Sequence, residues 1–239
     1  MASADLERLL QVQEHDTAID QLRHRRATLP QRDELARLEE RLSQVRAELT
    51  SVRERRAEIA GRQAGLEAEL ATLEARLAEL DKLMYSGTIT ASRDLQAMAD
   101  EVDHLKRRGS SLEDVALAAL DELEPVDAEV ARLEGEASEV EAAAGRVQEE
   151  IAAAEKVIAA EEEDEQRARA ELAAGLPPAL TEQYEGIRTK LGGVGAARLV
   201  GGSCSGCHLT LPAVEVDRLK RAAPDELVLC DQCGRILVR

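Results

Sequence analysis

Two stripes of apolar residues, each repeating every seven positions, constrain this 239-residue chain more than any other feature. The first runs Leu35, Leu38, Leu42, Val45, Leu49, Val52, then Ile59, Leu66, Leu70, Leu73, Leu77, Leu80 and Met84, with Arg56 and Gln63 its polar members. The second runs from Leu95, Met98, Val102 and Leu105 through Gly109, Leu112, Ala116, Ala119, Leu123, Val126, Val130 and Leu133 to Val147, Ile151 and Ile158, and weakens toward Leu172. Spacings of three and four in alternation mark a helix that supercoils against another. Neither stripe can be buried by its own helix.

Between the stripes lies Tyr85-Ser-Gly-Thr-Ile-Thr-Ala-Ser92. Gly87 takes positive φ at little cost, and the β-branched run Thr88, Ile89, Thr90 disfavours a helix interior. Ser92 is a good N-cap, with Asp94 in the first turn at the positive end of the dipole. The chain is therefore expected to fold back here into an antiparallel hairpin over residues 1–176, turning at about 85–92. A centre midway through that segment pairs positions whose numbers sum to about 177. It sets Arg56 near Ala119, Gln63 near Ala116 and Leu6 opposite residue 171. At 1.5 Å per residue, arms of about 80 residues are on the order of 120 Å long.

Composition agrees with long helices: 33% of residues are charged, and there is no Phe or Trp and only two Tyr. Ala, Glu, Leu and Arg dominate, as in coiled coils. No apolar run approaches the roughly 18 residues of a membrane span, and the N-terminus lacks a signal layout, which predicts a cytoplasmic, non-membrane protein. The net charge of -17 sits mostly in residues 85–176, with 9 Lys+Arg against 24 Asp+Glu. A nucleic acid would be repelled by that arm, so any such contact is local.

Pro30 predicts a kink or short break, since residues 4–29 read as helix in a different phase. The cluster Arg23, His24, Arg25, Arg26 is expected to pair with acids near residues 151–155. Pro125 lies off the seam and predicts a bend, because the repeat continues on both sides. Lys106, Arg107 and Arg108 are candidate partner contacts near the turn. The acidic run Glu161 to Glu165 points all round a helix and cannot converge on one cation. Gly175, Pro177 and Pro178 close the hairpin, and a short helix is expected over 179–190.

All four cysteines fall in the last segment, as Cys204-Ser-Gly-Cys207-His and Cys230-Asp-Gln-Cys233-Gly. Each Cys-x-x-Cys can form a tight knuckle that aims both sulfurs at one point, with Gly206 and Gly234 supplying backbone freedom. Four thiolates in a tetrahedron suit one structural Zn²⁺, with iron in a rubredoxin-like cage as the rival. His208 is a neighbour of the site and not a ligand. Short strands are expected at 198–201, 209–211, 227–229 and 235–238, with a helix from Pro212 through Arg221. The reading is thus mainly α: a long antiparallel coiled-coil hairpin followed by a linker helix and a small β-rich C4 zinc ribbon over 177–239.

The segments Tyr85-Ser-Gly-Thr-Ile-Thr-Ala-Ser-Arg-Asp-Leu-Gln-Ala-Met98, Leu105-Lys-Arg-Arg and Ser111-Leu-Glu-Asp belong with the ending Cys204-Ser-Gly-Cys-His-Leu-Thr-Leu-Pro-Ala-Val-Glu and Cys233-Gly-Arg-Ile-Leu-Val-Arg239. Together they resemble the bacterial C4-type zinc-ribbon family with an N-terminal coiled-coil hairpin, in an actinobacterial form. The resemblance implies nucleic-acid binding, the usual description of the family. It also implies protein partners, since some members are linked to flagellar or type III secretion components, with the hairpin as an interaction arm.

Two functions follow as expectations. One is a non-enzymatic adaptor or chaperone-like protein that binds protein partners through hairpin and ribbon, with no small-molecule substrate. The other is nucleic-acid binding by the ribbon, with Arg198, Arg218, Lys220, Arg221, Arg235 and Arg239 as candidate phosphate contacts. The absence of Phe and Trp for base stacking weighs against it. No nucleophile, base and orienter converge, no glycine loop cradles phosphate, and His15, His24, His104 and His208 are scattered, so no enzyme is expected. A Cys-x-x-Cys oxidoreductase fits two facing pairs poorly.

Overall fold

In the computed structural model, which describes residues 3–223 and 226–239, five helices precede and interleave a three-stranded sheet. The order is α1 (Ser3–Ala27), α2 (Pro30–Tyr85), α3 (Ser92–Ala174), α4 (Pro178–Lys190), β1 (Ala196–Val200), β2 (Ser203–Cys204), α5 (Ala213–Arg221) and β3 (Ile236–Val238). The chain divides into two compact units, residues 35–146 and residues 1–34 with 147–239. The expected division at 176/177 falls inside the second of these. No helix among the described residues is long and apolar enough to cross a membrane.

The 35–146 unit is the hairpin shaft. Chain reversal occurs where glycine and the β-branched run stop the helix: Gly87 has φ 72° and Ser86 Oγ accepts from the Thr88 N–H at 3.2 Å. Ala91, not Ser92, holds the N-cap position, because its carbonyl accepts the first helical bond from the Leu95 N–H. Pro125 lies within α3, which continues on both sides of it.

The pairing register differs from the expected one. When antiparallel heptads pack seam to seam, flanking ion pairs sum to five less and five more than the core layers between them. Leu49 and Leu133 share one buried cluster, and their numbers sum to 182; so do those of the buried Leu80 and Val102. On one flank Arg76–Glu101 (2.9 Å), Arg108–Glu69 (3.4 Å) and Arg41–Glu136 sum to 177. On the other, Arg53–Glu134 (2.6 Å) and Arg46–Glu141 sum to 187. The centre is residue 91, so the turn is lopsided: α2 ends level with residue 97, and α3 begins five residues before that level. At this register Gln63 stands level with Ala119, while Arg56 stands level with Val126 and leaves the seam to pair with Asp127. The two polar seam residues are thus accommodated differently: Gln63 faces the small Ala119, and Arg56 turns to an acid beside the seam.

The other unit is built around two faces of one small sheet. Strand order is β2-β1-β3, with β1 antiparallel to β2 and parallel to β3 through Ala196↔Ile236, Ala197↔Leu237 and Arg198↔Val238. Alternate strand residues point to opposite faces. On one face Ala196, Ile236 and Val238 pack with Leu6, Leu9, Leu10 and Val12 of α1 and Leu180 and Tyr184 of α4. On the other, Ala197 and Leu237 pack with Cys204, Cys230, Leu211, Leu219 and Val228. The expected strands at 209–211 and 227–229 reduce to single bridges, Ser203↔Thr210 and Leu229↔Ile236, because the knuckles bend the chain away after one pair.

Around this core the remaining expectations can be placed. α1 ends at Ala27 and α2 starts on Pro30, whose missing donor costs nothing at the first helical position. The basic cluster does pair across the arms, but farther along than residues 151–155: Arg23 meets Glu162 at 2.8 Å and Arg25 meets Glu161 at 3.3 Å. The lopsided turn accounts for five residues of that displacement, the pairs summing to 185 and 186. The acidic run disperses, with Glu163 and Asp164 on Arg167 and Glu165 on His15.

Candidate metal centre

Each Cys-x-x-Cys folds into the same backbone knuckle. In the first, the Cys204 carbonyl accepts from the His208 N–H at 2.8 Å and the Cys204 N–H donates to Leu209 at 3.1 Å. In the second, the Cys230 carbonyl accepts from the Gly234 N–H at 2.7 Å and the Cys230 N–H donates to Arg235 at 2.8 Å. The residue after the second cysteine must take positive φ in both: Gly234 at 74° and His208 at 58°. His208 thus holds a strained conformation in the chain and no place among the ligands. Gly206 is needed for a different reason from the one expected. A Cβ there would lie 2.6 Å from Arg235 Cδ and 2.9 Å from Ala197 Cβ, so the position demands the absence of a side chain and not unusual φ.

The knuckles bring Cys204, Cys207, Cys230 and Cys233 together, with their sulfurs all within 4.8 Å of one another. Cys204 and Cys230 are buried, and the other two are half-buried. Zn–S bonds of about 2.3 Å in a tetrahedron give sulfur separations of about 3.8 Å. The Cys204–Cys233 separation of 4.0 Å is close to that. Four soft thiolates with no carboxylate or imidazole among them suit zinc. Burial pushes the Cys204 thiol up, and the Cys230 thiol up to about 12. Burial acts the same way on Cys233, but the Arg235 backbone N–H and guanidinium outweigh it and bring that thiol down to about 7. A metal ion would supply the charge that the buried thiolates lack.

The ribbon arginines offered as phosphate contacts are mostly engaged elsewhere. Arg235 is half-buried and donates to the carbonyls of Val194 (3.0 Å) and Leu191 (3.4 Å), which ties the second knuckle to the linker after α4. Arg239 donates to the carbonyls of Leu219, Ala222 and Ala223, satisfying the end of α5. Arg198 forks onto Glu7 at 2.6 and 3.0 Å. Arg218 pairs with Glu215 and Asp231, and Arg221 with Asp217. Lys220 is exposed. Near the turn, Lys106, Arg107 and Arg108 are all exposed, with Arg108 on Glu69 and Arg107 on the Asp103 carbonyl.

Residues that hold the ribbon on the hairpin base were missed in the sequence. Gln13 of α1 accepts from the N–H groups of Gly195 (2.6 Å) and Ala196 (3.2 Å) and donates to the Gly193 carbonyl (3.1 Å). Asp16, one turn on, accepts from Tyr184 Oη at 2.7 Å and from Arg169 at 3.0 Å, with its side chain 3% exposed. Tyr184 is wholly buried, its ring pressed so close to Gly195 that a Cβ there would lie 2.9 Å away. One signal was available: two polar residues, Gln13 and Asp16, a turn apart beside the apolar Leu9 and Val12 in a stretch without a heptad seam.

The comparisons agree with this architecture. A family model described as the CT398-like coiled coil hairpin domain matches residues 12–192, and one described as the C4-type zinc ribbon domain matches residues 203–237. The uncharacterized protein Rv2229c of Mycobacterium tuberculosis is 31% identical over 159 residues, covering 66% of this chain and 64% of the relative. The chain thus matches somewhat under two thirds of that protein's length. Among solved structures, one from Mycobacterium smegmatis has a TM-score of 0.91 at 23% identity, covering 100% of this chain and 99% of that one. CT398 from Chlamydia trachomatis has a TM-score of 0.68 at 20% identity, covering 98% and 97%. HP0958 from Helicobacter pylori gives 0.53 at 19%, covering 99% and 97%. With most of its length under the hairpin model and its cysteines under the ribbon model, the chain belongs to the CT398-like coiled-coil hairpin family with a C4-type zinc ribbon.

Proposed function

We propose that this chain is a non-enzymatic cytoplasmic adaptor that binds protein partners through its hairpin and its ribbon, the ribbon held by one structural zinc ion. The observation that carries the reading is the fate of the two tyrosines. Tyr184 is wholly buried, whereas Tyr85, at the hairpin turn, is 86% exposed with the exposed Leu83 two residues before it. Aromatic anchors concentrate binding energy at protein interfaces. In a chain without Phe or Trp, one displayed at a turn favours contact with a partner. The metal centre favours the non-enzymatic part of the reading, since four protein thiolates fill a zinc tetrahedron and leave no position for water or substrate.

Nucleic-acid binding through Arg198, Arg218, Lys220, Arg221 and Arg235 is the weaker reading, because the arginines would first have to leave their carboxylates and carbonyls. Exposed ion pairs are weak enough to exchange, so the test is experimental. Full-length protein and a Tyr85→Ser, Leu83→Ser variant are used for affinity capture from lysate, each with and without nuclease. The adaptor reading expects captured proteins that survive nuclease and are lost with the variant. Proteins lost only with nuclease would transfer the case to nucleic acid, and capture unaffected by the variant would remove the turn from the account.

A further inference from the structure

We propose that metal loading at the four cysteines sets the order of the hairpin base, so that the ribbon is a metal-dependent latch on α1. This rests on the structural-zinc reading above and adds a consequence for residues that touch no ligand.

The β1–β3 pair is a wall shared by two cores. Its metal-side face carries Ala197 and Leu237 against Cys204 and Cys230, and its other face carries Ala196, Ile236 and Val238 against Leu6, Leu9, Leu10 and Val12. β3 begins three residues after Cys233, and its register on β1 depends on the two knuckles being drawn together. A ribbon of this size has too little apolar material to hold that arrangement by itself, so metal binding supplies its folding free energy. When β3 leaves β1, the apolar face of α1 loses Ile236 and Val238. Gln13 loses the Gly195 and Ala196 donors, since both belong to the entry of β1. Tyr184 shares the core of Ala196, Ile236 and Val238 and loosens with them, whereas the Asp16–Arg169 pair does not involve the sheet and persists, so within α1 the effect is confined to its first half.

Linkage makes the coupling reciprocal: if metal orders α1, then weakening α1 must weaken metal binding by the same factor. The test uses the full-length protein in two arms. In the first, amide hydrogen exchange is followed before and after zinc is removed with a chelator. Exchange should rise about tenfold or more over residues 5–13 as well as over 196–238, while residues 35–146 stay unchanged. Deprotection of 196–238 with 5–13 unchanged would overturn the latch and leave the structural zinc intact. Retained protection at 196–238 without metal would overturn the zinc reading beneath it. In the second arm, Leu9→Ala, which lies far in sequence from every cysteine, should speed zinc loss to a chromogenic chelator several-fold, with Leu133→Ala in the shaft as control. Equal rates for wild type and Leu9→Ala would contradict the proposal.

Discussion

The shaft of this hairpin is built from α2 and α3 alone, whereas the base adds α1, α4 and a sheet, and the two are held by different means. In the shaft, apolar layers repeat and arginines of α2 cross to acids of α3 at exposed flanks, so each layer resembles the next and few residues are unique. In the base, α1 meets a sheet and a buried polar network in which Gln13, Asp16 and Tyr184 each satisfy several partners. A repeated layer spreads the cost of a defect, whereas a hub concentrates it.

The largest effect should come from the metal. Cys230→Ser or zinc removal withdraws a binding free energy on the order of 10 kcal/mol from the ribbon. Near-ultraviolet circular dichroism of Tyr184 should collapse while most far-ultraviolet helix signal survives; retention of the tyrosine signal would erase the distinction between base and shaft.

Next come the cores. Leu9→Ala and Leu133→Ala each remove a wholly buried side chain, and each should cost about 2–5 kcal/mol in urea unfolding. The loss at Leu133 should be the smaller, since its neighbours are other seam residues that can close in.

Asp16→Ala leaves Arg169, Arg188 and Tyr184 facing an empty buried site and should cost about 3 kcal/mol. A cost below 1 kcal/mol would show that the hub is dispensable.

Alkali should act on the same hub. Burial, reinforced by the hydrogen bond to Asp16, raises the Tyr184 phenol well above its ordinary value. Its folded pKa exceeds its unfolded one, so this contribution is intact below about pH 10 and is lost as pH rises further. Tyr184→Phe should abolish that alkaline decline, measured by urea midpoints from pH 8 to pH 11.

The smallest effect belongs to the shaft's surface. Arg46→Ala breaks an exposed pair with Glu141 and should leave the melting temperature within error.

Both seams, the break at Pro30 and the knuckle cysteines were legible in the sequence because each rests on local chemistry or a fixed period. The register was not, since matching the two seams fixes it only to within a slip of seven residues. The midpoint of the turn misled because a turn need not divide its residues evenly between two arms. The Gln13, Asp16 and Tyr184 hub left only the trace of two polar residues a turn apart beside Leu9 and Val12, which marks a buried polar face but not its partners. Its partners are more than 150 residues apart, and no local period announces them. The role of Gly206 depends on the approach of Arg235 and Ala197, which only the folded chain reveals.

The difference between base and shaft can be measured through the two tyrosines. In a Tyr85→Phe background, tyrosine fluorescence reports Tyr184 alone and far-ultraviolet circular dichroism reports mainly the long helices. With urea as denaturant, zinc removal should move the fluorescence transition to markedly lower urea and leave the main helical transition in place. Two transitions that shift together, or neither shifting, would contradict a metal-held base on a metal-independent shaft.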